Sequence, residues 1–366
     1  MNSIVRRLLP RSRMAMGVAI LAALPFLTGF GAPGFIESDA ARVPVTAATL
    51  AALPAKAAPA IRARGAILVD GTNGTAMFER EPDVRLPMAS TTKIMTALIA
   101  VEQGKLDQPV RVVLGADKFP GESVAGLRAG EVLPLGEALY ALMLPSGNEA
   151  AVAIAGSLAG SSDAFVGRMN ARAEALGLKN LHFTNPSGID AIGHYASARD
   201  LARITRIAAD NATIAEIVGT REHSWRGQLV YRWTNLNRML MLRPDVTGFK
   251  TGTTDSAGES LVTTARQGAR RATVVLLNSP DRYREGNALL DYFFNDLSTV
   301  TYELPPSPFF RGLTVTAPPA ESLPNWQSRL ATANFRLSEP AEGSLGVVTF
   351  EVAGRAVGQP VLVPIR

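Results

Sequence analysis

Three short strings in this 366-residue chain bring together residue types that can do covalent chemistry: Ser90-Thr91-Thr92-Lys93, Ser146-Gly147-Asn148 and Lys250-Thr251-Gly252. In the first, serine and lysine are three apart, so on a helix they share a face one turn from each other. Lys93 is followed by Ile94 and Met95 at the start of an apolar run, so its amine is expected to be partly desolvated. Desolvation favours the neutral amine, which can take the proton of a serine hydroxyl. Pro87-Met88-Ala89 cannot extend that helix far backwards, which puts Ser90 at its first turn. The positive end of the helix then lies where an oxyanion would form. Taken alone, Ser90 also reads as an ordinary N-cap.

The third string lies in a β-prone stretch. A lysine there is either a solvated residue of an edge strand or part of a cleft lined by that edge. In the second case Gly252 lets a substrate backbone approach as an added strand would. Thr251, Thr253 and Lys250 then supply hydroxyls and a charge suited to a terminal carboxylate. With six lysines, 26 threonines and 32 glycines in the chain, about 0.04 such strings are expected by chance. The second string interrupts a helical stretch and by itself reads as a helix-to-helix turn, with Asn148 capping the next helix.

The elements that must position these residues follow from periodicity. Residues 66–70 and 75–78 are short apolar runs around a Gly71–Gly74 turn, a hairpin signal. Ile94, Ala97, Leu98 and Val101 form a helical stripe stopped by Gly104. Residues 136–158 are helical with a break at Pro145-Ser146-Gly147, and 165–176 and 198–209 give two further helices. Strand signals return at 246–251, 260–265 and 272–277, and 289–297 reads as helical. Strands at both ends and helices between them predict an α/β (α+β) architecture, an antiparallel sheet completed by both ends of the unit with a helical subdomain inserted. After Pro305 prolines cluster, and 334–337, 347–352 and 360–364 read as short strands. The expected organisation is 1–57 signal peptide and linker, 58–304 catalytic domain, and 305–366 a small β-rich C-terminal domain. No internal repeat is present.

Charge and composition narrow the function classes. The formal net charge is +5, but residues 1–57 carry +4 of it and the other 309 residues only +1. The basicity belongs to the leader, and no nucleic-acid partner is expected. Four arginines precede an uncharged run over 14–30, broken by Pro25 and glycines, which reads as an export signal. Ala55-Lys56-Ala57 fits a small-x-small cleavage site, though far downstream of the apolar run. A cut between Gly31 and Ala48, or an uncleaved anchor, is the alternative. With no cysteine, disulfides, thiol catalysis and thiolate metal sites are excluded. His182, His194 and His223 do not pair at metal-ligand spacing. No metal or other cofactor is expected, and the histidines read as structural or surface residues.

Together the three strings resemble the penicilloyl-serine transferase superfamily. The extended strings resemble most closely its low-molecular-mass penicillin-binding proteins, the serine-type D-alanyl-D-alanine carboxypeptidases. These strings are Pro87 to Leu98 (PMASTTKIMTAL), Leu144 to Ala151 (LPSGNEAA) and Gly248 to Thr254 (GFKTGTT), with Phe183 to Ile189 and Tyr195 to Ala202 in support. The resemblance spans residues 62–298. It implies a β-lactamase/transpeptidase-like sheet, and it implies roles. Ser90 attacks the carbonyl of the penultimate D-alanine of a peptidoglycan pentapeptide, and Lys93 takes its proton. Ser146, helped by Lys250, passes a proton to the leaving amine. Asn148 holds the substrate amide, the N–H groups of Ser90 and Thr253 bind the oxyanion, and Thr251, Thr253 and Arg284 hold the terminal carboxylate. β-Lactams are expected to acylate Ser90.

A DD-endopeptidase would use the same machinery on cross-links, and an idle envelope scaffold would keep the fold without the activity. A β-lactamase is disfavoured because no Glu-x-x-Leu-Asn string lies between the second and third motifs. Many members of the resembling family end in an amphipathic membrane helix. Here Val361 to Arg366 includes Pro364, so no such helix is expected. The expected enzyme is exported to the periplasm or cell-wall space, with membrane contact only if the N-terminal segment is uncleaved.

Overall fold

The computed structural model of the chain describes residues 58–301 and the strand segments 320–324, 331–337, 344–352 and 355–364. The expected export signal and linker, and the stretches between the C-terminal strands, lie outside the described residues. In chain order the strands are β1 (Gly65–Asp70), β2 (Ala76–Arg80), β3 (Pro109–Arg111), β4 (Val132–Pro134), β5 (Leu181–His182), β6 (Tyr195–Ala196), β7 (Glu222–Arg226), β8 (Val230–Thr234), β9 (Val246–Thr254), β10 (Gly258–Gln267) and β11 (Arg270–Ser279). The helices are α1 (Lys93–Gln103), α2 (Leu135–Met143), α3 (Asn148–Ala159), α4 (Ser162–Ala175), α5 (Ala198–Ala209), α6 (Ala212–Gly219), α7 (Met239–Leu242) and α8 (Arg282–Asp291).

The central sheet has five strands in the order β2-β1-β11-β10-β9, every pair antiparallel. This is the architecture the sequence pattern predicts: β1 and β2 come from the start of the unit, β9 to β11 from its end. Side chains alternate between the faces of a strand. In β1, Ile67 and Val69 join the core beneath the helices, while Ala66 and Leu68 join a second core with Leu289, Leu290 and Phe293. A sheet covered on both faces explains why β1 and β11 are continuous apolar runs instead of alternating ones.

The helical insertion packs around α1, whose first eight residues, Lys93 to Ala100, are all buried. A helix apolar all round belongs at the centre of a packed unit. Lys93 and Thr96 are therefore buried polar groups that must find partners. The strand β9 lies at the edge of the sheet, so the cleft reading of the Lys-Thr-Gly string is available to it.

Three local differences from the sequence expectation have physical reasons. The predicted helix at 289–297 starts earlier, at Arg282, because Asp281 caps it by accepting from the Arg284 N–H at 3.2 Å. It ends in a wide turn over Tyr292–Asp296, and Leu297 opens a strand, β12 (Leu297–Thr301), paired with β13 (Ala320–Pro324). The helix α6 was not predicted, although Asn211 caps it through the Ile214 N–H. Nor was the β7–β8 hairpin, whose Trp225, Tyr231 and Trp233 stack on one another. Beyond the central unit, β14 (Ala331–Leu337), β15 (Ser344–Val352) and β16 (Arg355–Pro364) form a three-stranded antiparallel sheet, which takes in the three short strands read after Pro305.

Candidate active site

Ser90 sits in a 3-10 turn, Ala89–Thr92, that runs directly into α1. No side chain caps that turn, so the N-cap reading of Ser90 does not hold. Its hydroxyl instead meets Lys93 Nζ at 2.9 Å. Lys93 Nζ also donates to Asn148 Oδ1 at 2.8 Å and to the Ser187 carbonyl at 2.6 Å. The last two partners can only accept. A neutral Lys93 therefore spends its two N–H groups on them, and its lone pair is left facing the Ser90 hydroxyl. Burial holds the Lys93 amine well below the ordinary lysine range, and the Lys250 charge pushes it the same way. Geometry and electrostatics agree on a lysine that can receive the serine proton.

Asn148 is the first residue of α3, and Gly147 takes the N-cap position. The turn before it is tight. A side chain on Gly147 would lie 2.8 Å from the Ala141 carbonyl and 2.9 Å from Ala125 Cβ. Because Gly147 holds the N-cap position, the Asn148 side chain does not cap the helix and is free to meet Lys93, while its N–H donates to the Ser123 carbonyl at 3.0 Å. Ser146 has a φ of 66°, a left-handed conformation that costs a non-glycine residue about 1–2 kcal/mol. Its hydroxyl is buried with no hydrogen-bond partner among the described residues. Strain and an unsatisfied hydroxyl at one residue are features that persist where a surrounding structure holds them for use.

Lys250 is also buried, and burial together with the nearby Arg282 charge pushes its amine down to about 7. Its Nζ donates to the Thr251 carbonyl at 3.1 Å. Two residues along the same face of β9, Gly252 lies against the nucleophile turn. A Cβ there would be 3.0 Å from Ala89 Cβ and 3.1 Å from both the Met88 carbonyl and the Ser90 nitrogen. The glycine thus brings the edge strand within contact of the Ser90 turn.

Arg284 is not brought to this cluster. It is exposed on α8 and pairs with Asp281 of its own helix at 3.3 Å. Arg282, which sequence reasoning passed over, occupies the cleft side. Its Nη1 donates to Thr253 Oγ1 at 2.8 Å and to the Gly252 carbonyl at 2.9 Å. The only sequence signal for it was a second arginine two positions away, and the choice between the two depended on where α8 begins.

The loop between α4 and α5 forms the remaining wall. Asn185 Oδ1 accepts from the N–H groups of Ser187 and Gly188 and fixes a turn. That turn delivers the Ser187 carbonyl to Lys93. Gly188 has a φ of 92°, and a Cβ on it would lie 2.0 Å from the Ala89 carbonyl oxygen; no other residue fits. Asp190 accepts from Thr254 Oγ1 at 2.8 Å and the Ser256 N–H at 3.1 Å, tying the loop to the end of β9. The neighbouring Glu149 is buried. It accepts from Ala125 and Leu127 N–H groups, and burial raises its carboxyl above the ordinary range.

A buried lysine hydrogen-bonded to a serine at a helix start, beside an edge strand, is the arrangement that acyl transfer through an active-site serine would need. Residues 53–281 match the D-alanyl-D-alanine carboxypeptidase family. The chain is 37% identical over 257 residues to the D-alanyl-D-alanine carboxypeptidase DacA of Escherichia coli K12, a match covering 66% of this chain and 63% of that protein. It is 30% identical over 338 residues to DacC of the same organism, covering 84% of each. Among solved structures, penicillin-binding protein 6B from Escherichia coli superposes with a TM-score of 0.70 at 27% identity, covering 84% of this chain and 98% of that one. This chain belongs to the D-alanyl-D-alanine carboxypeptidase family.

Proposed function

We propose that the protein is a serine-type D-alanyl-D-alanine carboxypeptidase that removes the terminal D-alanine from peptidoglycan pentapeptide stems. The observation that carries this reading is the Lys93 amine shared between Ser90, Asn148 and Ser187, in a chain of this family. Ser90 Oγ attacks the carbonyl of the penultimate D-alanine as its proton passes to Lys93. The oxyanion is held by the N–H groups of Ser90 and Thr253. The C–N bond then breaks as Ser146 passes its proton to the leaving amine and is reprotonated by the one Lys93 took from Ser90, with the Lys250 charge assisting, so that Lys93 is neutral again. Water then attacks the acyl-enzyme, Lys93 takes the water proton and returns it to Ser90 Oγ as the ester C–O bond breaks, and the shortened peptide is freed. Thr251, Thr253 and Lys250 hold the terminal carboxylate, and Arg282 takes the supporting place that the sequence reading gave to Arg284. β-Lactams acylate Ser90 by the same first step.

In this reading residues 1–57 are a leader and linker, 58–304 the catalytic domain and 305–366 a β-rich appendage. The protein works outside the cytoplasm, where its polymer is. Among the described residues no single helix is long and apolar enough to cross a membrane. The test is to incubate the purified protein with an uncross-linked pentapeptide muropeptide and a cross-linked dimer, and to follow both by mass spectrometry. Loss of one alanine from the monomer with the dimer intact is expected. Splitting of the dimer would move the assignment to an endopeptidase, and no change in either would contradict the proposed substrate.

A further inference from the structure

His194 has no part in the chemistry above, yet it lies buried in the α4–α5 loop against the nucleophile turn. Its Nδ1 faces the Thr184 N–H at 3.0 Å. A backbone N–H can only donate, so Nδ1 must be the acceptor and Nε2 must carry the ring proton. Nε2 lies 2.7 Å from Thr92 Oγ1. With the imidazole donating to it, the Thr92 hydroxyl has one proton left to give, and Ala89 O is 2.8 Å away. The chain of donors therefore has one direction: Thr184 N–H to His194, His194 to Thr92, Thr92 to the Ala89 carbonyl.

The Ala89 carbonyl belongs to the same planar peptide unit as the Ser90 N–H, and in a trans peptide the two point opposite ways. Holding the carbonyl back therefore aims the N–H forward. Ala89 needs holding, because its φ is 48°, a left-handed conformation with a cost for alanine. We infer that His194 is a positioning residue for the oxyanion hole, directing the Thr92 hydroxyl onto the Ala89 carbonyl and so fixing the peptide plane that presents the Ser90 N–H. The inference rests on Ser90 being the nucleophile.

The polarity of the hydrogen bond, more than the bulk of the ring, is what matters, and this separates the role from plain packing. His194→Gln keeps an N–H donor in reach of Thr92. His194→Glu has the same shape but an acceptor, and would draw the Thr92 proton away from Ala89. Thr92→Val breaks the chain at its middle without touching the histidine pocket's size.

The experiment is single-turnover acylation by a fluorescent penicillin, resolved into the non-covalent constant and the acylation rate constant, for the wild type and for His194→Ala, His194→Gln, His194→Glu, Thr92→Val and Ser90→Ala. Thermal melting is measured alongside to confirm that each variant is folded. Losing the orientation of one oxyanion donor should slow acylation by roughly 10- to 100-fold in His194→Ala and Thr92→Val, with the non-covalent constant within about threefold. His194→Gln should recover most of the rate and His194→Glu should not. Folded His194→Ala and Thr92→Val proteins that acylate at the wild-type rate would overturn the inference, as would a folded His194→Gln protein as slow as His194→Ala. An adduct that persists in Ser90→Ala would instead remove the nucleophile assignment itself. An adduct that depends on Ser90, together with wild-type rates in the other variants, would remove the inference alone.

Discussion

Lys93 and Lys250 are two buried amines in one cleft, and the account gives them opposite protonation states. Lys93 must be neutral to accept the serine proton. Lys250 must be charged to meet a carboxylate and to help Ser146 donate. The like-charge repulsion between them assists this division, since it lowers the Lys93 amine further than burial alone. Activity should therefore rise on the acid side as Lys93 loses its proton. It should fall on the alkaline side as Lys250, pushed down to about 7, loses its own. The profile of kcat/KM reports the free enzyme, so its alkaline limb is expected near pH 7. The limb in kcat should lie higher, because a bound carboxylate favours the charged amine. Lys250→Arg keeps the charge at every working pH and should remove the alkaline limb of kcat/KM. A limb that stays near pH 7 in that variant would assign it to another group.

The two arginines at the start of α8 give a second test at this scale. Arg282 touches Thr253 and Gly252, whereas Arg284 is exposed. Arg282→Ala should raise KM for a D-alanyl-D-alanine peptide by roughly tenfold or more, the loss of one charge-assisted bond. Arg284→Ala should change it by less than about twofold, as a surface pair would. The reverse pattern in steady-state kinetics would restore Arg284 to the carboxylate site.

At the scale of elements, the β7–β8 hairpin braces the loop under the Ser146 turn. Trp233 is buried in it and its indole N–H donates to the Ala125 carbonyl at 2.8 Å, and Ala125 packs against Gly147. Trp233→Ala should cost about 3–5 kcal/mol in stability, the loss of a buried aromatic. Trp233→Phe should retain the stacking and lose roughly the worth of one hydrogen bond, about 1 kcal/mol. Equal losses from both variants in denaturant unfolding would contradict this bracing role.

The wall that ends at His194 has its own pH signature. Burial, first of all, holds the His194 imidazole down at about 4 in the folded protein, with the nearby His182 lowering it further and Asp190 opposing. Its ordinary value is 6.5. Above pH 6.5 the ring is neutral in both states and the fold keeps its full stability. Between 6.5 and 4 the unfolded chain takes a proton that the folded one refuses, so stability falls as pH falls. The loss is on the order of 3 kcal/mol across that window. Replacing His194 with Gln, which does not titrate, should flatten this part of the melting-temperature profile. An unchanged slope would mean that other groups cause it.

For the whole molecule, the five-stranded sheet with its helical insertion was legible because its edge and centre have different signatures. The apolar runs of β1 and β11 mark strands covered on both faces, and Lys250 in β9 marks an edge. The strings around Ser90, Lys93, Ser146, Asn148, Lys250 and Gly252 were legible because the proposed chemistry needs particular types at short spacing; in the structure Lys93 bridges Ser90 and Asn148, and Gly252 lies against the Ser90 turn. Arg282 was not, because the start of α8 depends on the Asp281 cap, and two arginines nearby look alike without it. His194 was not, because nothing in its neighbourhood along the chain says that Thr92, 102 residues away, is its partner. The β7–β8 hairpin is held by aromatic stacking across strands, which leaves only a weak alternation in the sequence.

The charge asymmetry also belongs to this scale. Nearly all the net charge lies in the first 57 residues, and N-terminal sequencing of the mature protein should find them shortened, by a cut after Ala57 or between Gly31 and Ala48. Met1 retained on a membrane-bound protein would contradict that.

The central claim is that Ser90 is the residue acylated, with Lys93 as its base. The most direct measurement is peptide mapping by mass spectrometry after brief reaction with penicillin. The account predicts one adduct, on the peptide containing Ser90, which is absent in Ser90→Ala and forms far more slowly in Lys93→Met. An adduct on any other serine, or undiminished labelling of Lys93→Met, would contradict it.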